Sequence, residues 1–195
     1  MTAEKLLETI EIYQNFFVES GFKKAGQLHD ELPAFPQVRT AEAPFREEGA
    51  IPEELLEAIE TYRKFFVESG FKKTEHLHDE LLTSDQSGFE HCHGMLDRMV
   101  KFVQEGRLEK AFRWLGFIQG FLWSRRVFAL AEHNDKAGFE HCHGMLDPMV
   151  RFVHEGRLEK TFRWLGFIQG FLWAHRIYTL AEIKDHNRSK GLLDP

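Results

Sequence analysis

An all-α, pseudo-twofold helical bundle is the fold class that three observations predict. Residues Gly88–Leu130 are written out again, fifty residues on, at Gly138–Leu180. The Gly-Phe-Glu-His-Cys-His-Gly-Met-Leu-Asp run at 88–97 returns at 138–147, and the Phe-Arg-Trp-Leu-Gly-Phe-Ile-Gln-Gly-Phe-Leu-Trp run at 112–123 returns at 162–173. A second repeat, with an offset of 49, links Glu4–Leu32 to Glu53–Leu81. Within all four segments apolar residues recur at three- and four-residue intervals, the period of a helix with one buried face. The order is therefore A, A′, B, B′, which duplication of an A–B unit does not directly leave. Two copies of each element are too few for a solenoid. They suit a chain that holds both halves of a symmetric dimer, so that internal duplication stands in for homodimerisation.

A single helical domain over 1–195 is expected, with about six main helices. Its parts are an A unit (1–32), a linker (33–52), an A′ unit (53–82), a B hairpin (88–136) and a B′ hairpin (138–188). Helix A runs from near Thr2 to about Ser20, with Leu6, Ile10, Tyr13 and Phe17 as its stripe. Glu4 and Glu8 suit the positive end of its dipole. Gly21 offers the left-handed position that ends it, with Phe22 folding back. A short turn or helix with Leu28 and His29 follows. Residues 33–52 hold four of the six prolines and no periodicity. Helix A′ is expected over about Pro52–Ser69, Pro52 in its first turn, with Leu56, Ile59, Tyr62 and Phe66 inward.

Ser84, Asp85 and Ser87 are candidate caps for helix B1, read as Gly88–Glu105 with Phe89, Cys92, Leu96, Met99 and Val103 inward. Helix B2 follows over Arg107–Arg125. It is apolar on nearly all sides and should be the central element. Gly116 and Gly120 weaken it as an isolated helix by about 1 kcal/mol each. Close approach to the matching Gly166/Gly170 face of B2′ would compensate, leaving A and A′ outside. A short helix or turn is expected at Ala129–Asn134. B′ repeats the pattern with Pro148 inside its first two turns, then a last helix Leu180–Asn187 capped by Thr179.

The charge balance excludes some functions. The net charge is −6, with residues 1–87 carrying 9 Lys and Arg against 18 Asp and Glu, and 88–195 carrying 16 against 13. The two parts attract weakly, and no dense basic patch marks a nucleic-acid binder. The longest uncharged run, Trp114–Ser124, is too short to span a bilayer. The internal His-Asp-Glu-Leu segments at 29–32 and 78–81 are not retention signals, which act at a C-terminus. Two cysteines, Cys92 and Cys142, make no disulfide framework. Together with the lack of a signal pattern, they suggest reduced thiols and a cytoplasmic location.

Four constellations carry possible chemistry. Glu90 and His93, with Glu140 and His143, make two Glu-x-x-His pairs. Joined by one Glu from each A helix (Glu8 or Glu11, Glu57 or Glu60), they match the ligand set of ferritin-like di-metal bundles. Against that, Glu90 and His93 fall in the first turn of B1, where the dipole alone favours Glu. A His93–Asp97 hydrogen bond, repeated at His143–Asp147, explains them without metal. Cys92 and Cys142, each with a neighbouring His, form a second candidate, for zinc, although adjacent helical residues point apart. The acidic face Glu53, Glu57 and Glu60 has a counterpart in helical nucleotide pyrophosphatases, without a convincing Glu-x-x-Asp partner. Finally, Arg113 and Arg163 interrupt the apolar B2 helices. They either pair with Glu109 and Glu159 or, with Gln119 and Gln169, bind a nucleotide phosphate in a cleft. No nucleophile elbow or phosphate loop is present, so no catalytic residue is named and no cofactor is expected.

The Gly-Arg-Leu-Glu-Lys-Ala-Phe-Arg-Trp-Leu-Gly-Phe-Ile-Gln-Gly-Phe-Leu-Trp run at 106–123, and Tyr-Thr-Leu-Ala-Glu-Ile-Lys-Asp-His-Asn-Arg at 178–188, resemble small helical accessory proteins of bacteriophages. The likeness covers the B units, less than half of the chain. It implies a phage or host-interaction context and brings no catalytic residue. The expected function is a non-enzymatic module that contacts a protein partner, with no membrane and no nucleic acid involved. A di-metal oxidoreductase and a protein that binds or hydrolyses a small nucleotide are the alternatives.

Overall fold

A computed structural model of the protein describes residues 1–25, 50–74, 81–127 and 135–188. The expected turn at Leu28 and His29, most of the 33–52 linker, the His-Asp-Glu-Leu segments (Leu81 apart) and the short helix at Ala129–Asn134 lie outside them. Among the described residues there are seven helices: α1 (Ala3–Glu19), α2 (Ala50–Glu68), α3 (Asp85–Gln104), α4 (Leu108–Ser124), α5 (Asp135–His154), α6 (Leu158–Ala174) and α7 (Leu180–His186). None is long and apolar enough to cross a membrane.

In α1 the Thr2 hydroxyl accepts from the Lys5 amide at 3.2 Å, satisfying one of the unpaired donors of the first turn. Leu6, Ile10, Tyr13 and Phe17 are fully buried. Gly21 takes a φ of 72° and the Phe22 amide returns to the Phe17 carbonyl at 3.2 Å, closing the helix as expected. In α2 the buried stripe is Leu55, Ile59, Tyr62 and Phe66, while Leu56 is 36% exposed. The expectation of Leu56 inward is thus corrected by one residue, to the position that matches Leu6 at the 49-residue offset. Helix α2 begins at Ala50, so the end of the expected linker is helical.

Helix α3 begins at Asp85, three residues before the expected start, because Ser84 and Ser87 form a reciprocal capping box. Gly88 thus lies inside the helix, where the Phe121 ring leaves no room for a Cβ. Pro148 was expected in the first two turns of its helix. It stands instead fourteen residues into α5, where it forgoes the amide that would bond the Gly144 carbonyl.

The core is α4 packed against α6. A Cβ built on Gly116 or Gly120 would overlap the carbonyl oxygen of Arg163 or Phe167, and one on Gly166 or Gly170 that of Arg113 or Phe117. The contact is therefore isologous, the same surface on both copies. Closeness of this kind is open only to glycine. Around this axis α2 packs on α3 and α1 packs on α5. The A′–B unit is contiguous in sequence and sits between the A helix and the B′ hairpin on which A docks. One A–B unit is inserted within another, which accounts for the A, A′, B, B′ order.

The docking is itself duplicated. The Ala25 amide donates to the Glu140 carbonyl at 3.0 Å, and the Thr74 amide to the Glu90 carbonyl at 3.2 Å. Lys24 pairs with Asp147 at 2.5 Å, and Lys73 with Asp97 at 2.8 Å. These pairs run against the bulk asymmetry, since the acidic A segments supply the cations. Local geometry, not net charge, joins the elements.

Candidate functional site

The Glu-His-Cys-His motif serves this docking. His93 is 3% exposed and stacks on Phe66 with ring centroids 5.4 Å apart. Its Nδ1 donates to the Phe71 carbonyl at 2.8 Å, since a carbonyl can only accept. His143 does the same with Phe17, at 5.3 Å, and the Phe22 carbonyl, at 2.7 Å. Each imidazole thus satisfies a carbonyl just beyond the end of an A helix. Asp97 bonds Arg63 and Lys73 rather than His93, which corrects the expected His–Asp pair. The early start of α3 puts His93 beyond the first turn. Burial lowers the His93 pKa, with Lys73 and Arg63 acting in the same sense against the Phe71 carbonyl and Asp97.

The other metal candidates are occupied or apart. Glu90 accepts from Gln86 at 2.7 Å, Glu8 pairs with Lys5 at 3.2 Å, Glu140 lies 3.8 Å from Lys136, and Glu57 is exposed. Among the described residues no group of three or more His, Cys, Asp or Glu is placed to hold a metal ion. Cys92 and Cys142 are buried free thiols, and burial pushes both pKa values well up.

The arginine and glutamine candidates fall into two halves that differ. In one, Gln119 donates to the Tyr62 hydroxyl at 3.0 Å and accepts from Arg163 Nε at 2.9 Å, with Arg163 only 4% exposed. In the other, Gln169 donates to the Tyr13 hydroxyl at 3.1 Å. Here the second partner is Asn187, at the end of α7. Gln169 Nε2 donates to Asn187 Oδ1 at 3.0 Å, and Asn187 Nδ2 donates to Gln169 Oε1 at 3.4 Å and to the Ile183 carbonyl at 2.8 Å.

Arg113, the counterpart of Arg163, opens instead into a cavity of about 280 Å³ between α3, α4, α6 and α7. Arg98, Lys110 and Lys184 add three more cations to its lining, and among the described residues no Asp or Glu lines it. Arg98, Lys110 and Arg113 make no salt bridge with a described residue. Burial lowers the Lys110 pKa, and the charges of Arg107, Arg113 and Arg98 outweigh that of Glu109 in lowering it further. Burial also works against the charge on Arg113, with Glu109 opposing. Trp114, Phe117, Leu180 and Ile183 supply apolar wall.

Gln169 and Arg113 thus share a site, while Gln119 and Arg163 bond each other outside it. The sequence reading passed over Lys110, Arg98 and Asn187. A signal was present for Arg98, since the two close repeats differ there, Arg98 against Pro148. Comparison of the chain with protein-family models, curated proteins and solved structures finds no match.

Proposed function

We propose that the protein is a non-enzymatic binding module that takes a small anion with a flat apolar body, of the nucleoside monophosphate kind, into this cavity. The observation that carries the reading is the Arg113 guanidinium, opening among further cations into a cavity whose described lining holds no carboxylate. Arg98, Lys110 and Arg113, which make no salt bridge with a described residue, favour an anion or water that takes up their charge. Arginine's planar fork suits phosphate or carboxylate oxygens, and the partly exposed indole of Trp114 offers a face for a ring. Such binding also fits the host-modulating context that the phage resemblance implies. The protein-contact alternative rests on exposed Val18, Leu56, Val67, Leu81, Leu158 and Ile177, which are spread over several elements.

Calorimetric titration with AMP, adenosine and pyrophosphate tests the reading. AMP is expected to bind saturably and adenosine far more weakly. Arg113→Gln should weaken AMP at least about tenfold, the scale of one lost charge-assisted hydrogen bond. Absence of saturable binding by AMP and pyrophosphate, or indifference to Arg113→Gln, would sink the proposal.

A further inference from the structure

We infer that Asn187 is the positioning residue that leaves Arg113 open to ligand, so that only one of the two pseudo-equivalent sites in this duplicated fold binds an anion. The inference rests on the anion-binding reading above and adds which half binds, and why.

The reciprocal glycine contacts place Arg113 against α6 as Arg163 is placed against α4. By that equivalence Gln169 stands to Arg113 as Gln119 stands to Arg163. Arg163 uses the relation, its Nε bonding Gln119 Oε1 at 2.9 Å. Arg113 does not, because the Asn187 amide faces Gln169 and takes both ends of its side-chain amide. Asn187 is held there by its own bond to the Ile183 carbonyl at 2.8 Å. In the first copy Gln119 bonds Tyr62 and Arg163, and among the described residues no amide side chain competes for it.

Other differences follow the same line. Arg163 and Trp164 are 4% and 3% exposed, whereas Arg113 and Trp114 are partly exposed and line the cavity. Arg98, one of the four cations of the open site, is replaced by Pro148 in the second copy. One half is thus closed by an internal arginine–amide bond, and the other is kept open by a competing amide.

The test is calorimetry on the full chain with AMP as probe, comparing wild type with Asn187→Ala, Gln169→Met and the double variant. Wild type should bind one equivalent. Asn187→Ala should weaken binding about tenfold or more, as Arg113 turns onto the vacated Gln169 oxygen, the loss expected when one charge-assisted contact is withdrawn. In the double variant that oxygen is gone, and affinity should return to within about threefold of Gln169→Met alone, the coupling that a double-mutant cycle measures. A role for Asn187 in structure alone predicts no recovery. Two equivalents per chain, an unaffected Asn187→Ala, or a double variant as weak as Asn187→Ala would each overturn the inference while leaving the cavity's binding role in place. Failure of wild type to bind AMP would overturn both.

Discussion

His93 shows how a motif with the look of a metal site can be structural. Its Nδ1 proton goes to the Phe71 carbonyl and its ring lies on Phe66. Burial holds its pKa below the ordinary 6.5, so the folded state favours the neutral ring. A group depressed in this way contributes stability in full above about pH 6.5. The contribution is lost as pH falls from there through the folded-state value. Urea denaturation between pH 7.5 and pH 5 should show the midpoint falling further in wild type than in His93→Asn, which keeps a donor for the carbonyl. Equal falls would contradict the assignment. The role of His93 was not legible in the sequence because its partner is a backbone carbonyl, which leaves no side-chain signature. The candidate site was legible only in part for a similar reason. Arg113 and Gln169 stand out as polar residues in an apolar helix, but Asn187 reaches Gln169 only after α6 ends and α7 docks.

At the scale of elements, Leu6, Ile10, Tyr13 and Phe17 of α1 are readable from three-and-four spacing, and α4 is readable as the central helix because it is apolar on nearly all sides. Helix α2 is less so: Leu55 and Leu56 are adjacent and both apolar, and only the match to Leu6 separates them. The Gly116/Gly120 and Gly166/Gly170 pairs predict the α4–α6 contact, since two glycines in an apolar helix need a packing reason. Gly116→Ala would drive a methyl into the Arg163 carbonyl, and should cost about 3 kcal/mol or more, at the upper end of overpacking. Thermal or urea unfolding measures this directly. A loss under about 1 kcal/mol, the range of a tolerated core swap, would mean that the helices are not so close.

On the scale of the whole molecule, one A–B unit nested inside another gives a single chain the symmetry of a dimer and the freedom to break it. A true homodimer would carry Arg98 and Asn187 in both halves or in neither. Here the two B hairpins are nearly identical in sequence, yet Arg163 is closed onto Gln119 while Arg113 lines a cavity with Arg98, which Pro148 replaces in the second copy. The most direct measurement compares AMP affinity in Lys110→Gln and Lys160→Gln, matched substitutions on α4 and α6. Both lysines lie over equivalent rings, Lys110 Nζ 4.5 Å from the Phe102 centroid and Lys160 Nζ 4.7 Å from that of Phe152, so their packing roles are alike. Only Lys110 lines the cavity. Lys110→Gln is predicted to weaken AMP by about tenfold, on the order of one lost charge-assisted contact, and Lys160→Gln to leave it unchanged. Equal weakening in the two variants, or none in either, would contradict the account.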